Sequence, residues 1–151
     1  MTGEPHRGPL QYPQLWIILF GAAAWLIGRV FPHGFPGDTL LGWVLVILGL
    51  VLMAWAALTM LRAKASVDPT RRPTGLVTHG IYALSRNPIY LGDAVLLAGL
   101  CLIWAPLSLI VLVPGFMAVI TRRFIAREEA WLRERDPAGY AAWAATTRRW
   151  L

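Results

Sequence analysis

Apolar residues along this chain gather into four blocks separated by short polar or proline- and glycine-bearing breaks. A helix crossing the hydrocarbon core of a bilayer needs about 20 predominantly apolar residues, with about 17 as the lower end. The first block covers roughly residues 12–31 and carries Trp16 and Trp25. Its one charge, Arg29, stands near the end and can snorkel to the interface. The second covers about 40–61. The third runs 88–104 and opens on Pro88, tolerated in a first helical turn because its missing N–H costs nothing there. The fourth runs 106–121, and only Ala105 parts Trp104 from Pro106. These lengths and breaks predict an all-α membrane protein of four transmembrane helices, the last two forming a tight hairpin.

The breaks carry their own predictions. Between the first two blocks, F-P-H-G-F-P-G-D reads as a short turn, with Asp38 or Thr39 available to cap the next helix. Within the second block Gly42, Gly49 and Ala56 recur every seven residues, a stripe that lets a neighbouring backbone approach closely. The insert 62–87 cannot be one helix, because Pro69 and Pro73 interrupt it. It should be an ordered surface loop leading to a short interfacial segment, V-T-H-G-I-Y. The tail 122–151 has no breaker before Pro137, so the fourth helix is expected to continue out of the membrane. Asp136-Pro137 then reads as N-cap and first residue of a last short helix lying along the membrane. That helix would put Tyr140, Trp143 and Thr147 on one face and Arg148 and Arg149 at its favourable C-terminal end.

Composition narrows the class. The 151 residues are 57% hydrophobic and 15% charged, with mean hydropathy +0.55; soluble domains average about 45–50% apolar and about 25% charged. One membrane domain over residues 1–151 accounts for this. The net charge of +6 and pI near 10.4 would suit nucleic acid, but the basic residues flank apolar blocks and follow topology instead. The turns at 32–39 and at Ala105 hold no Lys or Arg, whereas the insert has Arg62, Lys64, Arg71, Arg72 and Arg86. The tail adds Arg122, Arg123, Arg127, Arg133, Arg135, Arg148 and Arg149. The positive-inside rule puts insert, tail and both termini in the cytoplasm. The N-terminal stretch is polar, with no A-x-A-type cleavage site, so the first block is expected to remain as a span. Cys101, the only cysteine, excludes an intrachain disulfide and a multi-cysteine metal site and reads as an inert core thiol. His6, His33 and His79 all lie outside the spans, against a haem with axial histidines.

Candidate chemistry concentrates in H-G-I-Y-A-L-S-R-N-P-I-Y-L-G-D, His79 to Asp93. Asp93 stands about 7 Å into the third helix at 1.5 Å per residue, where an acid should face the bundle interior or a wet pocket. Asn87 and Tyr90, then Tyr90 and Asp93, share helix faces at a spacing of three. Arg86 offers a five-donor fork to a carboxylate or a lipid phosphate. Glu128 and Glu129 point about 100° apart on a helix, so one can face a pocket while the other faces Arg or solvent. The residues alone equally allow headgroup anchoring by Arg86 and Tyr90, and pairing of the acids with Arg122, Arg123 or Arg133.

The pattern G-x-Y-x-x-x-R-N-P-x-Y-x-G (Gly80, Tyr82, Arg86, Asn87, Pro88, Tyr90, Gly92), a helical hairpin, E-E-x-x-L (Glu128, Glu129, Leu132) and Tyr140 follow in that order. Together they closely resemble the membrane methyltransferases of the isoprenylcysteine carboxyl methyltransferase and phospholipid N-methyltransferase family, over about residues 70–151. The resemblance implies S-adenosylmethionine as cofactor, held by Thr74, Gly75, Leu76 and Val77, by Tyr82, Asn87, Pro88, Ile89 and Tyr90, and by Glu128. It implies a lipophilic methyl acceptor reached through the bilayer, with Arg86, Asp93 and His79 as candidate catalytic groups. Asn87 stands where the family commonly has His, and Phe124 where isoprenylcysteine members carry a substrate-contacting Arg. The acceptor is accordingly an isoprenylcysteine-type carboxylate or another lipid-like nucleophile, or else a phospholipid amine. A non-enzymatic four-span protein binding lipid or quinone is the alternative of another class.

Overall fold

The computed structural model describes residues 11–65 and 74–151. Among them every regular element is helical: α1 (Pro13–Val30), α2 (Asp38–Arg62), α3 (Pro88–Trp104), α4 (Leu109–Ile120), α5 (Ala126–Arg135) and α6 (Pro137–Thr146). A 3-10 turn at Gly80–Ala83 precedes α3, another at Pro106–Ser108 precedes α4, and a π turn at Thr121–Ile125 joins α4 to α5. Pro106–Arg135 is thus one continuous helical run of 30 residues. The helix continues past the span's expected end at 121, as the lack of a breaker before Asp136-Pro137 predicts. A π turn absorbs an extra residue within a helix; here it keeps Phe124 and Ile125 in the core, 1% and 0% exposed.

Three helical runs, α1, α2 and Pro106–Arg135, are long and apolar enough to cross a membrane, while α3 is shorter at 17 residues. α3 is also the hub, packing on α1, α2 and α4. Its closest neighbour is α2, and small residues explain why. A side chain at Gly49 would meet the backbone oxygen of Gly92 at 2.6 Å, and one at Gly42 would meet that of Gly99 at 2.7 Å. The seven-residue stripe of α2 therefore lies against a matching stripe, Gly92 and Gly99, running the other way on α3.

One apolar cluster, with Tyr90, Leu97, Cys101, Phe116, Ile120 and Phe124, fills the space between α3, α4 and α1. The outward sides of α1 and α2 expose large apolar residues such as Ile18, Leu26, Leu40, Trp43 and Ile47, as expected for lipid contact. At one end of the bundle the two short turns meet, the Leu107 N–H donating to His33 Nε2 at 3.2 Å. Asp38 departs from the capping expectation. It is the first residue of α2 after a left-handed Gly37, and its carboxylate accepts the Phe35 N–H at 2.9 Å, closing the turn.

Candidate functional site

At the opposite end, the segment before α3, the start of α3, α5 and the chain beyond α6 converge. Pro88 starts α3 as its first residue, and its ring leaves Asn87 outside the helix at φ −136°, ψ 57°. The Asn87 side chain does not cap α3. Its Nδ2 donates 2.9 Å to the carbonyl of Arg149, while its backbone N–H donates to Ser85 Oγ at 3.1 Å. Tyr90, one turn into α3, is buried, its ring 6.4 Å from that of Phe124. Its hydroxyl donates to Glu128 Oε1 at 2.6 Å. This contact joins the two motifs.

Glu128 sits two turns beyond Ile120, where the apolar part of the long helix ends and Arg122, Arg123 and Arg127 follow. Burial pushes its carboxyl up to about 7, opposed by the Tyr90 hydrogen bond and by Arg127. Tyr82 belongs to the same group: burial, and then the Glu128 charge, hold its phenol well above the usual range. Tyr82 and Tyr90 thus both lie within electrostatic reach of the Glu128 carboxylate.

Glu129 faces elsewhere. It is 5% exposed and takes Arg149 Nε at 3.0 Å and Arg149 Nη2 at 2.6 Å, with Arg86 Nη2 at 3.3 Å. Arg86, expected to offer its fork to a ligand, is thus engaged by Glu129, and its guanidinium lies 5.8 Å from the Tyr140 ring centre. For Glu129, the alternative pairing with Arg122, Arg123 or Arg133 gives way to arginines from other segments. Arg149 likewise does not complement the end of α6. The helix stops at Thr146, Thr147 is extended, and the chain turns back onto residues 83–87.

The other predicted positions divide. Leu76 and Val77 pack with Ile81, Tyr82, Tyr140 and Trp143 in a second apolar cluster. Ile89 packs against that cluster, and Pro88 is buried beside it. The indole N–H of Trp143 donates to the Tyr82 carbonyl at 2.8 Å. Tyr140 and Trp143 share the buried face of α6 as predicted, Thr147 is buried just beyond the helix end, and Asp136 caps the helix by accepting the Gly139 N–H at 2.9 Å. What that face covers is the 80–83 turn. Thr74 and Gly75 open the second described stretch, next to residues 66–73, which lie outside it. Asp93 is buried on the Tyr90 side of α3, whereas His79 is exposed before the 3-10 turn. An open cleft of about 570 Å³ lies between Leu76, Thr78 and Ala83 on one side and Asp136, Trp143 and Thr147 on the other. Neither Tyr90 nor Glu128 lines it.

Asn87 and Arg149 escaped the sequence reading in their observed roles. Contacts between segments twenty and sixty-two residues apart leave no spacing signal; the nearest hint was a pair of adjacent acids beside more arginines than one helix face requires.

Comparison at the family level matches residues 38–135 to the phospholipid methyltransferase family. No curated protein and no solved structure matches the chain. The matched stretch runs from the start of α2 to the end of α5, so it contains Arg86–Tyr90 and Glu128 together. Among the described residues every regular element is helical, the chain is apolar in the manner of a membrane protein, and it belongs to the phospholipid methyltransferase family.

Proposed function

We propose that this protein transfers the methyl group of S-adenosylmethionine to a lipophilic acceptor at the cytosolic face of the membrane. The observation that carries the reading is the 2.6 Å contact between Tyr90 and Glu128, part-buried, which joins the R-N-P-x-Y and E-E motifs. The donor set suits this cofactor. A carboxylate offers about four lone-pair sites, of which Tyr90 takes one, leaving capacity for ribose hydroxyls or an ammonium. Tyrosine faces attract a nearby cationic centre. Backbone groups of residues 74–77, rather than Arg86, are left to serve the ligand carboxylate, because Glu129 already engages Arg86.

When bound, S-adenosylmethionine supplies a methyl carbon carried on cationic sulfur. The chain's own residues contribute orientation and exclusion of water. Tyr90 fixes the carboxylate of Glu128, the Phe124 ring packs on the Tyr90 ring, and α6 covers the 80–83 turn. Holding two reactants in line is itself worth several kcal/mol, about 7–11 in favourable cases. Asp93, on the Tyr90 side of α3, is the group assigned to receive a proton from the acceptor; His79 is exposed outside the cluster.

Among acceptors, a phospholipid amine is favoured over a prenylcysteine carboxylate. Phe124 occupies the place where isoprenylcysteine members carry an arginine, and it is 1% exposed inside the apolar cluster, so that position offers no cation of its own to a carboxylate. The family description points the same way.

Stabilisation of the purified protein by S-adenosylhomocysteine tests the cofactor assignment. A ligand at 100 times its Kd that binds only the native state adds about 2.7 kcal/mol, so unfolding should shift upward in the natural sequence and far less in Glu128→Ala. Absence of any shift at saturating ligand, with no difference between the two proteins, sinks the assignment and favours a lipid- or quinone-binding protein without enzymatic activity.

A further inference from the structure

The chain beyond α6 is built into the wall that carries Asn87 and Glu128. Thr147 Oγ1 donates to the Ala83 carbonyl at 3.3 Å, and the Arg86 N–H donates to the Arg148 carbonyl at 2.9 Å. The Arg149 carbonyl accepts from Asn87 Nδ2 at 2.9 Å, and Trp150 packs on the apolar cluster that contains Tyr90 and Phe124. The Arg149 guanidinium meanwhile grips both oxygens of Glu129.

These contacts have a geometric consequence. Glu129 is the neighbour of Glu128, and Arg86 is the neighbour of Asn87, so one buried carboxylate fixes the register between the two motifs. A bidentate arginine–carboxylate pair specifies orientation as well as distance. Withdrawing one partner leaves a buried charge short of compensation, which the surroundings relieve by moving. The backbone of the same arginine receives the Asn87 amide, so side chain and carbonyl of Arg149 act on both walls at once. Asparagine serves here as a donor to a carbonyl. A histidine ring N–H can do the same, which gives this position a role independent of proton transfer.

We infer that Arg149 is a positioning residue of the cofactor site, holding Glu128 and Tyr90 in contact by clamping Glu129 and receiving Asn87. The inference rests on reading that cluster as the S-adenosylmethionine site.

The test is calorimetric binding of S-adenosylhomocysteine to purified full-length protein, to Arg149→Ala and to Arg149→Lys, with and without millimolar guanidinium. Arg149→Ala is expected to raise Kd at least tenfold, and guanidinium, which fits the vacated place at Glu129, should recover at least threefold of that loss. Lysine, a point charge without the planar fork, should fall between the two. A Kd for Arg149→Ala within twofold of the natural sequence overturns the inference, as does a raised Kd that neither lysine nor guanidinium improves. If Arg149→Ala does not fold, Arg149→Lys decides: a Kd raised at least threefold at an unchanged unfolding midpoint supports the role, and an unchanged Kd overturns it. Failure of the natural sequence to bind is a different result, which removes the cofactor reading itself.

Discussion

Adjacent residues on a helix point about 100° apart, and Glu128 and Glu129 use that divergence to serve different partners. Glu129 has two arginines. Glu128 has a tyrosine, and burial raises its carboxyl from 4.5 to about 7. A carboxyl raised on folding takes up a proton in the native state, so its contribution to stability is full below about 4.5 and is lost as pH rises through about 7. Ligand binding should run the other way, because the ionised form is the acceptor for an ammonium or a diol. The affinity for S-adenosylhomocysteine is therefore expected to rise with pH and level off above about 7, and Glu128→Gln should flatten the profile. Tyr90→Phe removes a bond that lowers this carboxyl, so the midpoint should move to higher pH; calorimetric titrations between pH 5.5 and about 8.5 resolve both. Tyr90 and Glu128 were each legible as members of dense local motifs, although their mutual contact was not. Arg149 was not, since its partner is set by how the chain turns after α6.

The α2–α3 pair shows how close helix packing stands behind the site. Reciprocal glycines let the two backbones touch, which holds the short α3 in place although its 17 residues sit at the lower limit for a span. Overpacking a tight interface costs typically about 1–3 kcal/mol. Gly49→Val, whose Cβ would face the Gly92 oxygen, should lower the unfolding midpoint in detergent and loosen the Asn87–Tyr90 end of α3. Gly115→Ala, whose Cβ would meet only Phe20 at 3.4 Å, should be tolerated or mildly stabilising. Equal midpoints for the two variants would deny the glycine stripes this role. Half of the pattern could be read directly, in Gly42, Gly49 and Ala56. The other half, Gly92 and Gly99, acquires meaning only once α3 is laid antiparallel against α2, and periodicity along one helix carries no information about its partner's register.

For the whole molecule, the fold puts the two arginine-free turns at one end, joined through His33 and Leu107, and the polar clusters at the other. Single cysteines at Thr78 and Thr146, both exposed, should react with an impermeant maleimide only from the cytosolic side, and one at Phe35 only from the opposite side. Cys101 is buried and does not interfere; labelling of all three positions from one side would contradict the topology. The hairpin at Ala105 was legible from a single residue between two apolar blocks, whereas the run of α4 into α5 through a π turn has no sequence marker beyond the lack of a breaker. The central claim, that this bundle end transfers a methyl group to a lipid, is tested most directly by incubating purified protein with methyl-labelled S-adenosylmethionine and phospholipid vesicles containing amine headgroups. Label should enter the extracted lipid, vanish in Glu128→Ala and fall roughly a hundredfold in Asp93→Asn, the lower range for losing a general base. Folded protein that binds the cofactor yet leaves lipid unlabelled, or labels it equally in all three forms, would contradict the account.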